Sequence, residues 1–158
     1  MNLAGRSRDC VEDLLAELEA GYGSFPVSQT TVSVSSECYE EIAREWEGTV
    51  GRVDVHVRND ADEVLVRPEG EAVRAPASTV SSGASIENRA RSAVQSTGVE
   101  CRIDGLEAVT IAGVRNEDDA EADPVYRLLV LFTGTHVSGT PPAECQWRAE
   151  PPESQLLI

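Results

Sequence analysis

The chain has 158 residues, enough for one compact domain, and only 4% are aromatic, so its core must come from Val, Leu, Ile and Ala. Acids outnumber bases 28 to 13, and a net charge of −15 without a basic stripe argues against nucleic acid as a partner. No segment approaches the ~20 apolar residues of a membrane helix, and the N-terminus is too acidic for a signal peptide; we expect a cytoplasmic protein with no membrane partner.

The bases are unusual because all thirteen are Arg and the chain contains no Lys. This composition is typical of salt-loving organisms, whose concentrated cytoplasm screens the repulsion between surface acids. We therefore interpret most acidic runs as solvated surface. The four widely spaced cysteines are expected to be small apolar residues, and two histidines are too few for a His-rich metal site.

Residues 1–48 are predicted to form an N-terminal extension of helix, strand and helix. The first helix covers about 8–20, with Val11, Leu14, Leu15 and Leu18 on one face, and Gly and Pro end it. The segment 30–35 alternates like a strand, and Ser35 or Ser36 caps the second helix. We expect the extension to pack on the rest of the chain through Tyr39, Ile42 and Trp46.

Residues 49–158 are predicted to form the main domain. It opens with a hairpin of 52–58 and 64–67, and a polar loop over 68–85 leads to a helix at about 86–96. The remaining strands are predicted at 99–103, 107–114, 125–137 and 145–148, the third of them central because it is the most hydrophobic. Strands on both sides of a crossover helix indicate an α/β (α+β) fold with a mixed sheet covered by helices.

The predicted helix at 86–96 lies in the stretch SGASIENRARSAVQSTGV, residues 82–99. Its apolar residues follow the spacing i, i+4, i+7, i+8 and form one buried stripe: Ile86, Ala90, Ala93 and Val94. Gly98 is predicted to end the helix in the left-handed conformation.

This helix–Gly-Val junction, with the surrounding segments, resembles the Nudix hydrolase family over about residues 50–150. The supporting phrases are RVDVHVRNDADEVLVRPEG, VYRLLVLFTGTHVSGTPP and ECQWRAEPPE, the last resembling a Trp-containing segment before a closing helix. The resemblance implies an α/β/α sandwich with a mixed central sheet. It also implies Mg²⁺- or Mn²⁺-dependent cleavage of a nucleoside diphosphate linked to another group.

The family's signature is G-x5-E-x7-R-E-U-x-E-E-x-G-U, with U aliphatic. Anchored on Gly98 and Val99, its Arg falls on Arg91. The Glu after that Arg is replaced by Ser92, and the adjacent Glu pair by Gln95 and Ser96. The isolated upstream Glu falls on a glycine, and a shift by one residue puts an alanine there instead. Arg91, Ser92, Gln95, Ser96 and Gly98 are thus vestigial signature positions.

Loss of these acids matters because Mg²⁺ usually needs one or two protein carboxylates. The neutral oxygens of an amide and a hydroxyl bind the ion weakly and cannot act as a general base. Glu87 is the helix's only acid, and Glu69 lies in the preceding loop; both are weak metal candidates. Arg91 is expected to pair with another carboxylate. No cofactor is expected, or Mg²⁺ or Mn²⁺ if the chain is active.

Three functions stay open at this point. The preferred one is a silent or strongly weakened hydrolase that binds a nucleotide-like ligand or a partner protein. The alternative is an active hydrolase that uses displaced carboxylates, for which the candidates are the acidic loop around Asp118, Asp119, Glu121 and Asp123 and the loop acid Glu71. The third is a structural paralogue that forms a homodimer or pairs with an active Nudix relative.

Overall fold

The computed structural model describes residues 2–152; Met1 and residues 153–158 of the Pro-rich tail, with any closing helix there, lie outside the described part. The helices are α1 (Leu3–Tyr22), α2 (Ser36–Glu45) and α3 (Ile86–Gln95), with a 3-10 turn at Trp46–Gly48. The strands are β1 (Ser28–Val34), β2 (Gly51–Arg58), β3 (Val64–Glu69), β4 (Ala72–Arg74), β5 (Ala77–Val80), β6 (Val99–Asn116), β7 (Val125–Gly139) and β8 (Gln146–Arg148).

The described strands form one mixed sheet in the order β1-β6-β7-β2-β3-β4, with β5 paired to β2 and β8 paired to β3. β1 runs parallel to β6 and β2 parallel to β7, whereas β6 and β7 are antiparallel. Val130 and Phe132 of β7 are buried between these neighbours, as the hydrophobic run predicts. The predicted α+β class with a mixed, helix-covered sheet is confirmed.

Helices cover both faces of the sheet. α1 and α3 share one face, where the Ile86 amide donates to Glu17 Oε2 of α1 at 3.4 Å. α2 covers the other face beside Arg127, whose Nε donates to the Thr49 carbonyl at 2.9 Å. Tyr39, Ile42 and Trp46 are buried, and β1 is hydrogen-bonded into the sheet, so the N-terminal elements contribute to the same packing as the rest.

One sequence prediction about the first half of the sheet is wrong, and the predicted hairpin is present but pairs over a shorter length than expected. The segment 68–85 is not only a loop, because it contains β4 and β5. In the hairpin predicted from 52–58 and 64–67, the antiparallel pairing of β2 with β3 is limited to one residue pair, Arg58 with Val64. The reason is that β5 takes the edge of β2 that β3 would have used, while β3 pairs with β4 and β8 instead.

The two strands predicted at 99–103 and 107–114 are one strand, β6, of 18 residues. Its pairing with β7 shifts register between Glu100 and Cys101, between Ile103 and Gly105, and between Leu106 and Ala108. These irregularities absorb extra residues without ending the strand, so Asp104 and Gly105, which separate the two predicted strands, lie inside β6. α1 is also longer than predicted, because the Asn2 side chain caps it by accepting from the Gly5 amide at 2.8 Å.

Candidate functional site

The candidate site is the loop–helix–loop around α3, which the fold holds firmly. Ser85 caps the helix by accepting from the Asn88 amide at 3.3 Å. The predicted apolar stripe of α3 is buried against the sheet, as its spacing indicated; it consists of Ile86, Ala90, Ala93 and Val94. Gly98 ends the turn with φ of +78°, which is the predicted left-handed conformation. The scaffold of the signature is therefore present.

The outer surface of α3 carries the residues at the positions that the resemblance assigns to the signature acids. Ser92, Gln95 and Ser96 are all exposed, and the spacing i, i+3, i+4 places them on one side of the helix. The Ser96 hydroxyl donates to the Ala93 carbonyl at 2.7 Å, so it is engaged with the helix backbone. These three positions thus present an amide and two hydroxyls and no carboxylate.

The one acid of α3 is already held by two partners. Glu87 Oε1 lies 2.8 Å from an Arg91 guanidinium nitrogen, one turn further along the helix. The Tyr22 hydroxyl at the end of α1 also hydrogen bonds to Glu87; burial raises the pKa of Tyr22, and the Glu87 carboxylate raises it further. Arg91 therefore pairs with Glu87 rather than orienting a set of metal-binding acids.

The loop acids do not complete a site. Glu69 Oε2 lies 3.0 Å from Arg74 Nε on the neighbouring strand β4. Glu71 is exposed in the turn between these strands. Nowhere between residues 2 and 152 do three His, Cys, Asp or Glu side chains come together in a way that could hold a metal ion. The donors near α3 are unsuited to Mg²⁺ or Mn²⁺ because they are neutral, or engaged with arginine.

The acidic loop between β6 and β7 has a local structural use. Asp118 Oδ2 accepts from the Ser36 amide at 3.2 Å, at the N-terminus of α2, where a negative charge is favourable. Asp119 accepts from the Glu121 amide at 3.0 Å, and the Asp123 carbonyl accepts from the Tyr39 hydroxyl. These contacts tie the loop to α2, on the face opposite α3.

The histidines have separate partners. His56 Nδ1 lies 3.1 Å from Glu107 Oε2, a pair that sequence reasoning missed; Glu107 stands at the register shift between Leu106 and Ala108 of β6. His136 Nε2 lies 2.8 Å from the Gly139 carbonyl oxygen. All four cysteines are free and half-buried. Burial raises the pKa of the Cys101 thiol, which keeps it protonated and poorly nucleophilic at neutral pH.

The sequence matches no protein-family model and no curated protein. Solved structures with a similar fold include a NUDIX hydrolase from Nitrosomonas europaea, 21% identical with a TM-score of 0.47, over 64% of this chain and 72% of that one. A UDP-X diphosphatase is 14% identical with a TM-score of 0.48, over 89% of this chain and 68% of that one. An Ap4A hydrolase from C. elegans is 12% identical with a TM-score of 0.41, over 63% of this chain and 80% of that one.

Sequence identities this low indicate a similar backbone fold only. Any chemistry at the site depends on the side chains described above. Among the described helices, none is both long enough and apolar enough to span a bilayer.

Proposed function

We propose that this chain is a Nudix-like binding protein whose phosphate-splitting metal site has been lost, and that it binds a nucleotide-like ligand or a partner protein. One observation supports this more than any other. The single carboxylate of α3, Glu87, is engaged by Arg91 at 2.8 Å and by Tyr22. A metal ion at this carboxylate would therefore compete with the Arg91 guanidinium and the Tyr22 hydroxyl.

Hydrolysis of a phosphate depends on positive charge at the site. Attack of water on a phosphate requires a cation that neutralises the phosphate oxygens and lowers the pKa of the water. Mg²⁺ loses its hydration shell reluctantly and is held by carboxylates in proteins. Ser92, Gln95 and Ser96 supply only neutral oxygens at the three positions that the signature gives to glutamate. They could neither hold the ion nor remove a proton from water.

The proposal extends to the protein's cellular location, its assembly and its domain bounds. We propose a salt-rich cytoplasm as the protein's location, because a net charge of −15 with no lysine is tolerable where salt screens it. A homodimer, or a dimer with an active Nudix relative, is the proposed assembly. Residues 49–158 are the proposed Nudix-like unit, and 1–48 its extension.

The proposal predicts no metal-dependent turnover. The purified protein in about 2 M NaCl is incubated with nucleoside diphosphates linked to sugars or to a second nucleoside, with Mg²⁺ or Mn²⁺. We expect phosphate or nucleotide release to equal the EDTA control, because no carboxylate set can hold the ion. Turnover that both EDTA and Glu87→Gln abolish would show an active hydrolase and defeat the proposal.

A second arm separates ligand binding from a purely structural role. A nucleotide-like ligand at ~100 times its dissociation constant should stabilise the fold by about 2.7 kcal/mol, which appears as a rise in melting temperature. If no nucleotide shifts the melting temperature while the protein copurifies with a Nudix relative as a stable complex, the paralogue hypothesis replaces ligand binding.

A further inference from the structure

A cavity of about 450 Å³ lies at the β1 edge of the sheet, away from α3. The pairing register puts Gln29 beside Ile111, and Thr31 beside Gly113 and then Tyr126, so these residues line the sheet face under α1. Along α1, Glu17 contacts the start of α3, whereas Arg8 reaches the cavity nine residues earlier, about 14 Å away by helical rise. The cavity is therefore a separate place on the molecule.

Arg8 is positioned over the cavity by an aromatic ring. Its guanidinium carbon lies 5.0 Å from the ring centroid of Tyr126, a cation–π geometry that holds the planar group while leaving its N–H edge available. The helix is fixed there because the buried Ser7 hydroxyl accepts from the Tyr126 amide at 2.9 Å. The ion pair of Arg8 with Glu12 is loose, at 3.9 Å with both side chains more than half exposed.

Gly113 allows the ring to adopt this position. A Cβ at Gly113 would lie 3.3 Å from Cε1 of Tyr126, so a side chain there would require the ring to shift by a few tenths of an ångström. The absence of a side chain also leaves the cavity floor open beside the Thr31 and Gln29 side chains, which can donate hydrogen bonds.

Arg115 provides a second positive charge. It follows Gly113 by two residues on β6, which places it on the same sheet face, and its side chain lines the cavity. Arg115 forms no ion pair with any residue in 2–152, although the chain has more than twice as many acids as bases. Arg8 and Arg115 both line this cavity, and the paired N–H donors of a guanidinium suit the oxygens of a phosphate.

We propose that this cavity is an oxyanion site that binds phosphate or a phosphomonoester between Arg8 and Arg115, with Thr31 and Gln29 as further donors. The site goes beyond the proposed function and does not depend on it, since it uses no residue of α3. The strongly negative surface makes these two arginines necessary, because elsewhere the field of the protein repels such an anion.

The test is a titration of the full chain with inorganic phosphate at constant ionic strength, in about 0.5 M NaCl, followed by calorimetry and by amide NMR shifts. We expect saturable binding, with shifts concentrated at Thr31, Gly113 and Arg115. Arg115→Gln should weaken phosphate binding about tenfold or more, because one guanidinium is lost. Arg44→Gln is the matched control, since Arg44 is exposed and also lacks an ion pair among the described residues.

Three outcomes would overturn the inference. The first is no saturable binding of phosphate by the wild-type chain. The second is an Arg115→Gln variant that binds phosphate like the wild type. The third is equal weakening by Arg44→Gln, which would show attraction to net charge rather than a site. If Arg115→Gln weakens the binding of sulfate as much as that of phosphate, the result supports a site for oxyanions as a class. A negative result at this cavity would not bear on the proposed loss of the metal site at α3.

Discussion

Replacing Ser92, Gln95 and Ser96 together by glutamate is expected to give α3 a divalent-cation site. The three positions are exposed on one side of the helix, so three carboxylates at i, i+3 and i+4 can converge on one ion. We expect Mn²⁺ affinity to rise at least about tenfold over the wild type, or ~1.4 kcal/mol. Loss of the free Mn²⁺ signal in electron paramagnetic resonance measures this directly.

The matched control is the double variant Ser92→Gln and Ser96→Gln, which adds similar side-chain length on the same side of α3 without charge. It should bind Mn²⁺ no better than the wild type. The glutamate variant should also melt lower than the control without metal, because like charges repel, and recover when Mn²⁺ is added. Equal Mn²⁺ affinity in the two variants would show that α3 is not placed to hold an ion, whatever its charge.

Gly139→Ala is expected to destabilise the fold strongly. Gly139 has φ of +88°, and a Cβ there would lie 2.2 Å from the Gly98 carbonyl oxygen and 3.1 Å from Val99 Cα. The left-handed conformation costs an alanine ~1–2 kcal/mol, and the clash with backbone atoms adds a cost of similar size. We expect a loss of about 3 kcal/mol and a melting temperature lower by roughly 6–12 °C.

Two controls separate the parts of that cost. Gly70→Ala shares a positive φ, +63°, but meets nothing within 4 Å, so only the conformational cost of about 1 kcal/mol remains. Gly105→Ala has neither a positive φ nor a close neighbour, and should change stability by less than about 0.5 kcal/mol. If all three variants melt alike, the close approach of β7 to the turn after α3 is not as described.

The sequence predicted α3 well because local signals agreed there. The apolar stripe and Gly98 both indicated a helix at about 86–96, and the structure has it at Ile86–Gln95 with Ser85 as its N-cap. The central position of β7 also followed from its composition alone. Elements whose local sequence features all indicate the same structure, such as α3 and β7, could be predicted.

The errors arose where pairing partners are distant in sequence. β5 is four residues long and gains its stability from β2, which its own sequence does not reveal. Asp104 and Gly105 separate the two predicted strands, but continuous pairing with β7 carries β6 through them. Contacts of this kind depend on the whole sheet.

The candidate sites show the same limit. The sequence alone showed neutral residues at the positions that the resemblance gives to glutamate, but it did not show the interaction of Glu87 with Tyr22, because 65 residues separate them in the chain. Arg8 and Arg115 are further apart still, and only the packing of α1 against β7, at Ser7 and Tyr126, brings Arg8 to the cavity that Arg115 lines. An arginine without an acidic partner in so acidic a chain is a signal that could direct attention to such a site.

The central claim is that the face of α3 that carried the acids can no longer hold a divalent ion. Isothermal titration of the wild-type chain with Mn²⁺, in about 2 M NaCl, tests it most directly. The account predicts no saturable heat at micromolar Mn²⁺, and the same trace for Glu87→Gln. Saturable heat at micromolar Mn²⁺ that disappears in Glu87→Gln would contradict it.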